Sequence, residues 1–178
     1  MARKRSARSA DELRNASKHP AYEIDMFCQQ GEEFERLNTQ KHGKSSASHG
    51  GNKDPKPKQI VLNGLREAFY VHARNLLGFV YNCGRQDEIR ARDYHGQWKP
   101  SMPQDLRQLC SYVNKMIMHL TYDRVRLYEL TRKWPVKSLI ERLARPLVDF
   151  YDVVQETNPA LFLSAVETAI KKCRRHVV

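Results

Sequence analysis

From Ile60 to Asn82 the chain reads IVLNGLREAFYVHARNLLGFVYN, and Leu62, Leu65, Phe69, Leu76 and Phe79 recur there at helical spacing. That is the stripe of an amphipathic helix facing a core. His72 falls on the same stripe. An imidazole among Leu and Phe costs free energy unless it is hydrogen-bonded. The pattern therefore predicts a partner for His72 between helices, from Asn114, His119 or a backbone carbonyl near them. Upstream, Ile24, Phe27, Gly31 and Phe34 keep the same spacing, which predicts a first helix starting near Pro20, after Ser17, and running through Asn38.

Downstream, Pro103 opens a third predicted helix to Leu120, with Leu106, Leu109 or Cys110, Val113, Ile117 and Leu120 as its stripe. Residues 121–134 are ambiguous between a continuation and a short separate helix. Val136, Leu139, Leu143, Leu147, Phe150 and Val154 mark a further helix, kinked where Pro146 removes a backbone hydrogen bond. Asn158-Pro159 predicts the start of a last one, over LFLSAVETAIKKC. Five or six helices without a convincing strand imply an all-α up-and-down bundle. The connection between the second and third helices, residues 83–103, is long for a compact domain, so it is either functional or carries a short element of its own. Trp98 within it is expected to pack down onto the bundle.

The helical pattern divides the chain into a flexible tail over 1–18, one bundle over 19–173 and a short tail over 174–178. Inside the bundle, KHGKSSASHGGNKDPKPK (41–58) is too small and polar to offset the cost of ordering its backbone, and it is expected to be a mobile linker. The formal charge is +11 over 178 residues. It concentrates at the two ends and in the linker: residues 1–18 carry six Lys/Arg against two acids, 41–58 five against one, and 171–178 four against none. The remainder is close to neutral. Basic tails attract any polyanion in a salt-sensitive way without defining a shaped site, and they serve equally as solubilising ends.

No stretch approaches the ~18 consecutive apolar residues of a membrane span, and the basic N-terminus has no apolar segment behind it. Cys28, Cys83, Cys110 and Cys173 are scattered without a CxxC pair, the pattern of small buried thiols in a reducing cytoplasm. A zinc site from Cys83 and His95 is the weakest reading, and no metal or other cofactor is expected.

Polar residues interrupt two of the stripes. His72 and Asn75 share a face of the second helix, with Arg74 on the flank. Lys115 and His119 share a face of the third, with Asn114 beside them, and Asp123 and Arg124 one turn further on. A bond from His119 to Asp123 fixes a tautomer, and Arg124 offers a fork for an anion. The plainer account is a satisfied interhelical network that fixes register. No nucleophile triad, phosphate loop or HExxH zinc motif is present.

The run FYVHARNLLGF, the long loop with its acidic-aromatic patch and Trp, and then VNKMIMHLTYDR resemble an uncharacterised bacterial group of helical proteins. That group is in turn similar to the HEPN superfamily of four- and five-helix bundles. The resemblance covers residues 20–155. It implies a homodimer, a link to RNA and, in many members, metal-independent endoribonuclease action in toxin or defence systems alongside a cognate protein. The family's site is an Arg, a polar residue and, a few positions on, a His on one helix. Carried over, the polar residue is Lys115 and the histidine His119. Where the family has Arg, this chain has Asn114. Catalysis then requires Arg74 or Arg124 to supply the guanidinium at the phosphate. Otherwise the chain is a non-catalytic helical module binding a partner protein or nucleic acid.

Overall fold

The computed structural model describes residues 8–39, 57–84, 87–115 and 135–177. Most of the expected 41–58 linker, the ambiguous 121–134 segment, and His119, Asp123 and Arg124 lie outside them. Among the described residues the fold is all-α, with no strand. The helices are α1 (Ala10–Ala16), α2 (Lys18–Thr39), α3 (Pro57–Val80), α4 (Ala91–Tyr94), α5 (Gln104–Val113), α6 (Val136–Thr157) and α7 (Ser164–Arg174).

Side-chain contacts fix the directions. Phe27 stacks on Phe69 with ring centroids 4.8 Å apart, and Glu23, a turn earlier on α2, bonds His72 on α3, so these helices are antiparallel. A Cβ on Gly31 would overlap Ile140 Cδ1 and sit 3.0 Å from Phe69 Cε2, so α2, α3 and α6 converge where glycine removes the obstruction. Arg74 reaches Asn114 at the C-terminal end of α5, while Cys83, just past α3, lies near Cys110, one turn earlier, so α5 runs against α3. Lys172 pairs with Asp25 and His176 with Glu32, which sets α7 parallel to α2. The long helices thus alternate up and down, as their apolar stripes predict.

Phe69, Leu76, Phe79, Leu106, Leu109, Val113, Leu139, Leu143, Leu147 and Val154 are all buried, in the phase read from the sequence. At one end of the bundle Phe150 gathers an aromatic cluster, with Trp98 at 5.2 Å, Phe79 at 5.3 Å and Phe162 at 5.9 Å. The Trp98 indole N–H donates to the Val80 carbonyl at 2.8 Å, satisfying its polar end while the ring packs down. The short helix α4 is the element carried by the long connection.

Four expectations are revised. The tail expected through residue 18 is helical from Ala10: Ser9 Oγ accepts from the Glu12 N–H at 3.2 Å and Glu12 Oε2 from the Ser9 N–H at 2.8 Å, a reciprocal cap. Leu13 is buried beneath it. Pro57 and Lys58 belong to α3, not to a linker, Pro57 occupying a first turn where its missing N–H has no cost. Asn158-Pro159 opens only a single 3-10 turn, Pro159–Leu161, and α7 begins at Ser164. There the buried Ser17 hydroxyl accepts from the Leu163 N–H at 3.2 Å while donating to the Arg14 carbonyl at 2.7 Å. The 174–178 tail is partly tied down, with His176 Nε2 3.0 Å from Glu32 Oε1 and Val177 packed on the core.

Candidate functional site

Two residues on α3 build the site outward. Asn75 donates from Nδ2 to Glu23 Oε2 at 3.2 Å, and its Oδ1 accepts from Arg74 at 3.1 Å. Arg74 Nε donates to Asn114 Oδ1, also at 3.1 Å. A continuous polar line therefore crosses from α2 through α3 to the end of α5. Asn114 caps α5, where the backbone widens to a π-type turn over Asn114 and Lys115, a distortion frequent at functional sites.

His72 extends the line on its other side. Its Nδ1 lies 2.7 Å from Glu23 Oε2, and because a carboxylate accepts, Nδ1 carries the hydrogen. The ring also meets Tyr22 edge-on at 5.8 Å. The partner expected on the third helix is thus replaced by one on α2. The reason is rotational: His72 turns toward α2, and Arg74, on the flank, is the side chain that faces α5.

A cleft of ≈ 260 Å³ opens over this line, bordered by His19, Glu23, Arg74, Asn75 and Glu88 among others. Glu88 Oε1 stands 3.7 Å from Arg74 NH1, from the loop that follows α3. The same carboxylate presses against Gly84, where any Cβ would overlap it. Glu23 and Glu88 were not singled out from sequence. The surrounding DEIRARDY patch marks Glu88's neighbourhood, but nothing in the residue order pairs Glu23 with a histidine far along the chain.

Of the sequence candidates, Arg74, Asn75, Asn114 and His72 come together here, with Lys115 next to Asn114 and exposed. His119, Asp123 and Arg124 fall outside the described residues. The basic C-terminal run is engaged rather than loose: Lys171 pairs with Glu167, Lys172 with Asp25 and Arg174 with Asp152. Among the described residues no group of three or more His, Cys, Asp or Glu could hold a metal ion, and no helix is long and apolar enough to cross a membrane.

The thiols divide into two kinds, where sequence suggested uniformly buried ones. Cys28 and Cys173 are buried free thiols, and the neighbouring Cys173 thiol together with burial pushes the Cys28 thiol up. Cys83 is exposed and Cys110 half-buried. A hydrogen bond from Cys110, assisted by Arg74 and Arg107, brings the Cys83 thiol down to about 7 despite partial burial. No protein-family model, curated protein or solved structure matches the chain.

Proposed function

We propose that this chain is a HEPN-like helical protein that acts on RNA, with Arg74 taking the part of the guanidinium missing from the Asn114 position. The supporting observation is the 3.1 Å bond from Arg74 Nε to Asn114 Oδ1. It holds a fixed positive charge, delivered from α3, against the residue where the family motif has its own Arg. An incoming phosphate displaces Glu88 from Arg74, a partly exposed pair that costs little to open. In the catalytic form His119 takes the proton from an RNA 2′-hydroxyl, the oxygen attacks the neighbouring phosphate, and Arg74 stabilises the added charge. The step uses no metal. In keeping with the resemblance, the proposed assembly is a cytoplasmic homodimer with a cognate protein partner.

Incubating the protein with mixed RNA in EDTA tests this directly. Cleavage that disappears in His119→Ala and in Arg74→Ala supports it, and cleavage indifferent to both removes it.

The second reading is a non-catalytic module that binds through this face without cutting. It is favoured by the extent to which His72, Asn75 and Arg74 already satisfy one another and Glu23. RNA binding that Arg74→Ala weakens, with no cleavage in EDTA, selects it.

A further inference from the structure

The cleft over the α2–α3 line has an apolar floor beneath its polar rim. Leu76 and Phe79 on α3, Pro20 on α2 and Ile89 from the loop after α3 line it, and the first three are buried side chains. At ≈ 260 Å³ the cleft falls just short of the roughly 300–1,000 Å³ of sites that enclose a drug-sized molecule. That size suits one flat ring system rather than a whole nucleotide.

Most polar groups on the rim are already engaged. Asn75 donates from Nδ2 to Glu23 and accepts at Oδ1 from Arg74, so both ends of its amide are taken. Glu88 stands against Arg74 and Gly84. Glu23 differs. Its Oε2 accepts from His72 at 2.7 Å and from Asn75 at 3.2 Å, while its Oε1 has no hydrogen bond among the described residues. The two bonds hold the carboxylate in one orientation, and 24% of the Glu23 side chain is exposed. A fixed acceptor with one free oxygen therefore borders the apolar floor. The Asn75 amide alone bridges it to Arg74, so a phosphate on Arg74 and this oxygen face the same small cleft.

We infer that the cleft seats one guanine base of single-stranded RNA, with the Glu23 carboxylate reading its Watson–Crick edge. The inference rests on the RNA reading above, in which Arg74 holds the phosphate. An ionised carboxylate only accepts hydrogen bonds, so it selects for donors. Guanine sets N1–H and its N2 amino group side by side on that edge, and the two lone pairs of Oε1 meet them. Adenine and cytosine place a ring-nitrogen acceptor beside their amino group, and uracil flanks its single N–H with two carbonyls. Each of those three turns a lone pair toward the carboxylate. A single strand presents the base unpaired, the form in which proteins read such edges, and the ring faces settle on Leu76 and Phe79.

The test is filter binding of the full chain to labelled oligouridine strands that differ at one central position: guanine, adenine, cytosine, uracil or, as a fifth probe, hypoxanthine (inosine). The guanine strand should bind roughly tenfold tighter than the adenine, cytosine and uracil strands. Inosine keeps N1–H but lacks the amino group, and it should fall between guanine and uracil. Glu23→Gln, which offers an amide in place of the carboxylate, should shrink the ratio of guanine to uracil affinity toward one. Thermal melts check that this variant is folded; where it is not, the inosine strand decides, since it needs no change in the protein. Equal binding of all five strands, still weakened by Arg74→Gln, would overturn the base reading and leave the phosphate contact standing. No binding of any strand would remove both. Guanosine monophosphate that competes as well as the guanine strand would also overturn the inference, by making the cleft a site for the free nucleotide.

Discussion

His72 Nδ1 and Glu23 Oε2 lie 2.7 Å apart across the α2–α3 interface, and the same carboxylate oxygen also accepts from Asn75. One acid thus ties two α3 side chains to α2 just before the line continues to Arg74. Removing it strands two donors, only 12% of the His72 side chain being exposed. Glu23→Ala and His72→Ala should each cost about 1–3 kcal/mol in urea denaturation. Together they should cost less than the sum, with a coupling of at least about 0.5 kcal/mol. Fully additive losses would mean that the two side chains do not act as a pair.

Ser17 offers a second, local test. Its hydroxyl is fully buried and satisfies the Leu163 N–H just ahead of α7 while bonding back to the end of α1. Ser17→Ala should lower stability by about 1–2 kcal/mol, in the range of a lost helix cap. Ser17→Thr, which keeps the oxygen, should recover part of it. Hydrogen exchange at the Leu163 amide should quicken in the Ala variant, and an unchanged rate would show that the bond is not maintained in solution.

These two contacts mark the boundary of what the sequence carries. Stripe positions such as Phe69, Leu106 and Leu143 are legible because helical period and burial are the same fact seen twice. The α1 helix was also legible in principle: Ser9 and Glu12 form a capping-box pattern, but the surrounding positive charge favours a tail reading. Glu23 with His72 and Ser17 with Leu163 are contacts between distant residues. They depend on how helices rotate about their axes, which a hydrophobic period does not determine. Arg74 and Asn114 were both named from sequence, but their bond needed the antiparallel run of α3 and α5.

Cys83 should show its environment in a pH profile. The thiolate is the reacting form, and the Cys110 hydrogen bond, with Arg74 on α3 and Arg107 on α5, stabilises it. Its alkylation rate by iodoacetamide should therefore reach half its plateau at about pH 7 and fall about tenfold for each pH unit below that. Cys110→Ala removes the largest cause and should move the midpoint up toward the ordinary value of about 8.5. A wild-type midpoint already at that ordinary value would contradict the assignment.

Glu88 bears on the cleft with the opposite sign. Its carboxylate stands 3.7 Å from Arg74, where a phosphate would compete for the guanidinium. Glu88→Gln removes that competitor and should tighten RNA binding by roughly 2- to 5-fold, matching an exposed pair worth about 0.5–1 kcal/mol. Filter binding on one labelled single strand is sufficient. Weaker binding would mean that Glu88 itself contacts the RNA or holds the loop in place.

The central claim is that Arg74, held on Asn114, contacts an RNA phosphate. The most direct measurement is the salt dependence of binding to one single-stranded RNA, compared between wild type and Arg74→Gln, with thermal melts confirming that both are folded. Losing one phosphate contact should weaken binding and make the slope of log K against log salt shallower by about 0.7. An Arg74→Gln protein that is folded and binds with unchanged affinity and unchanged slope would contradict the account.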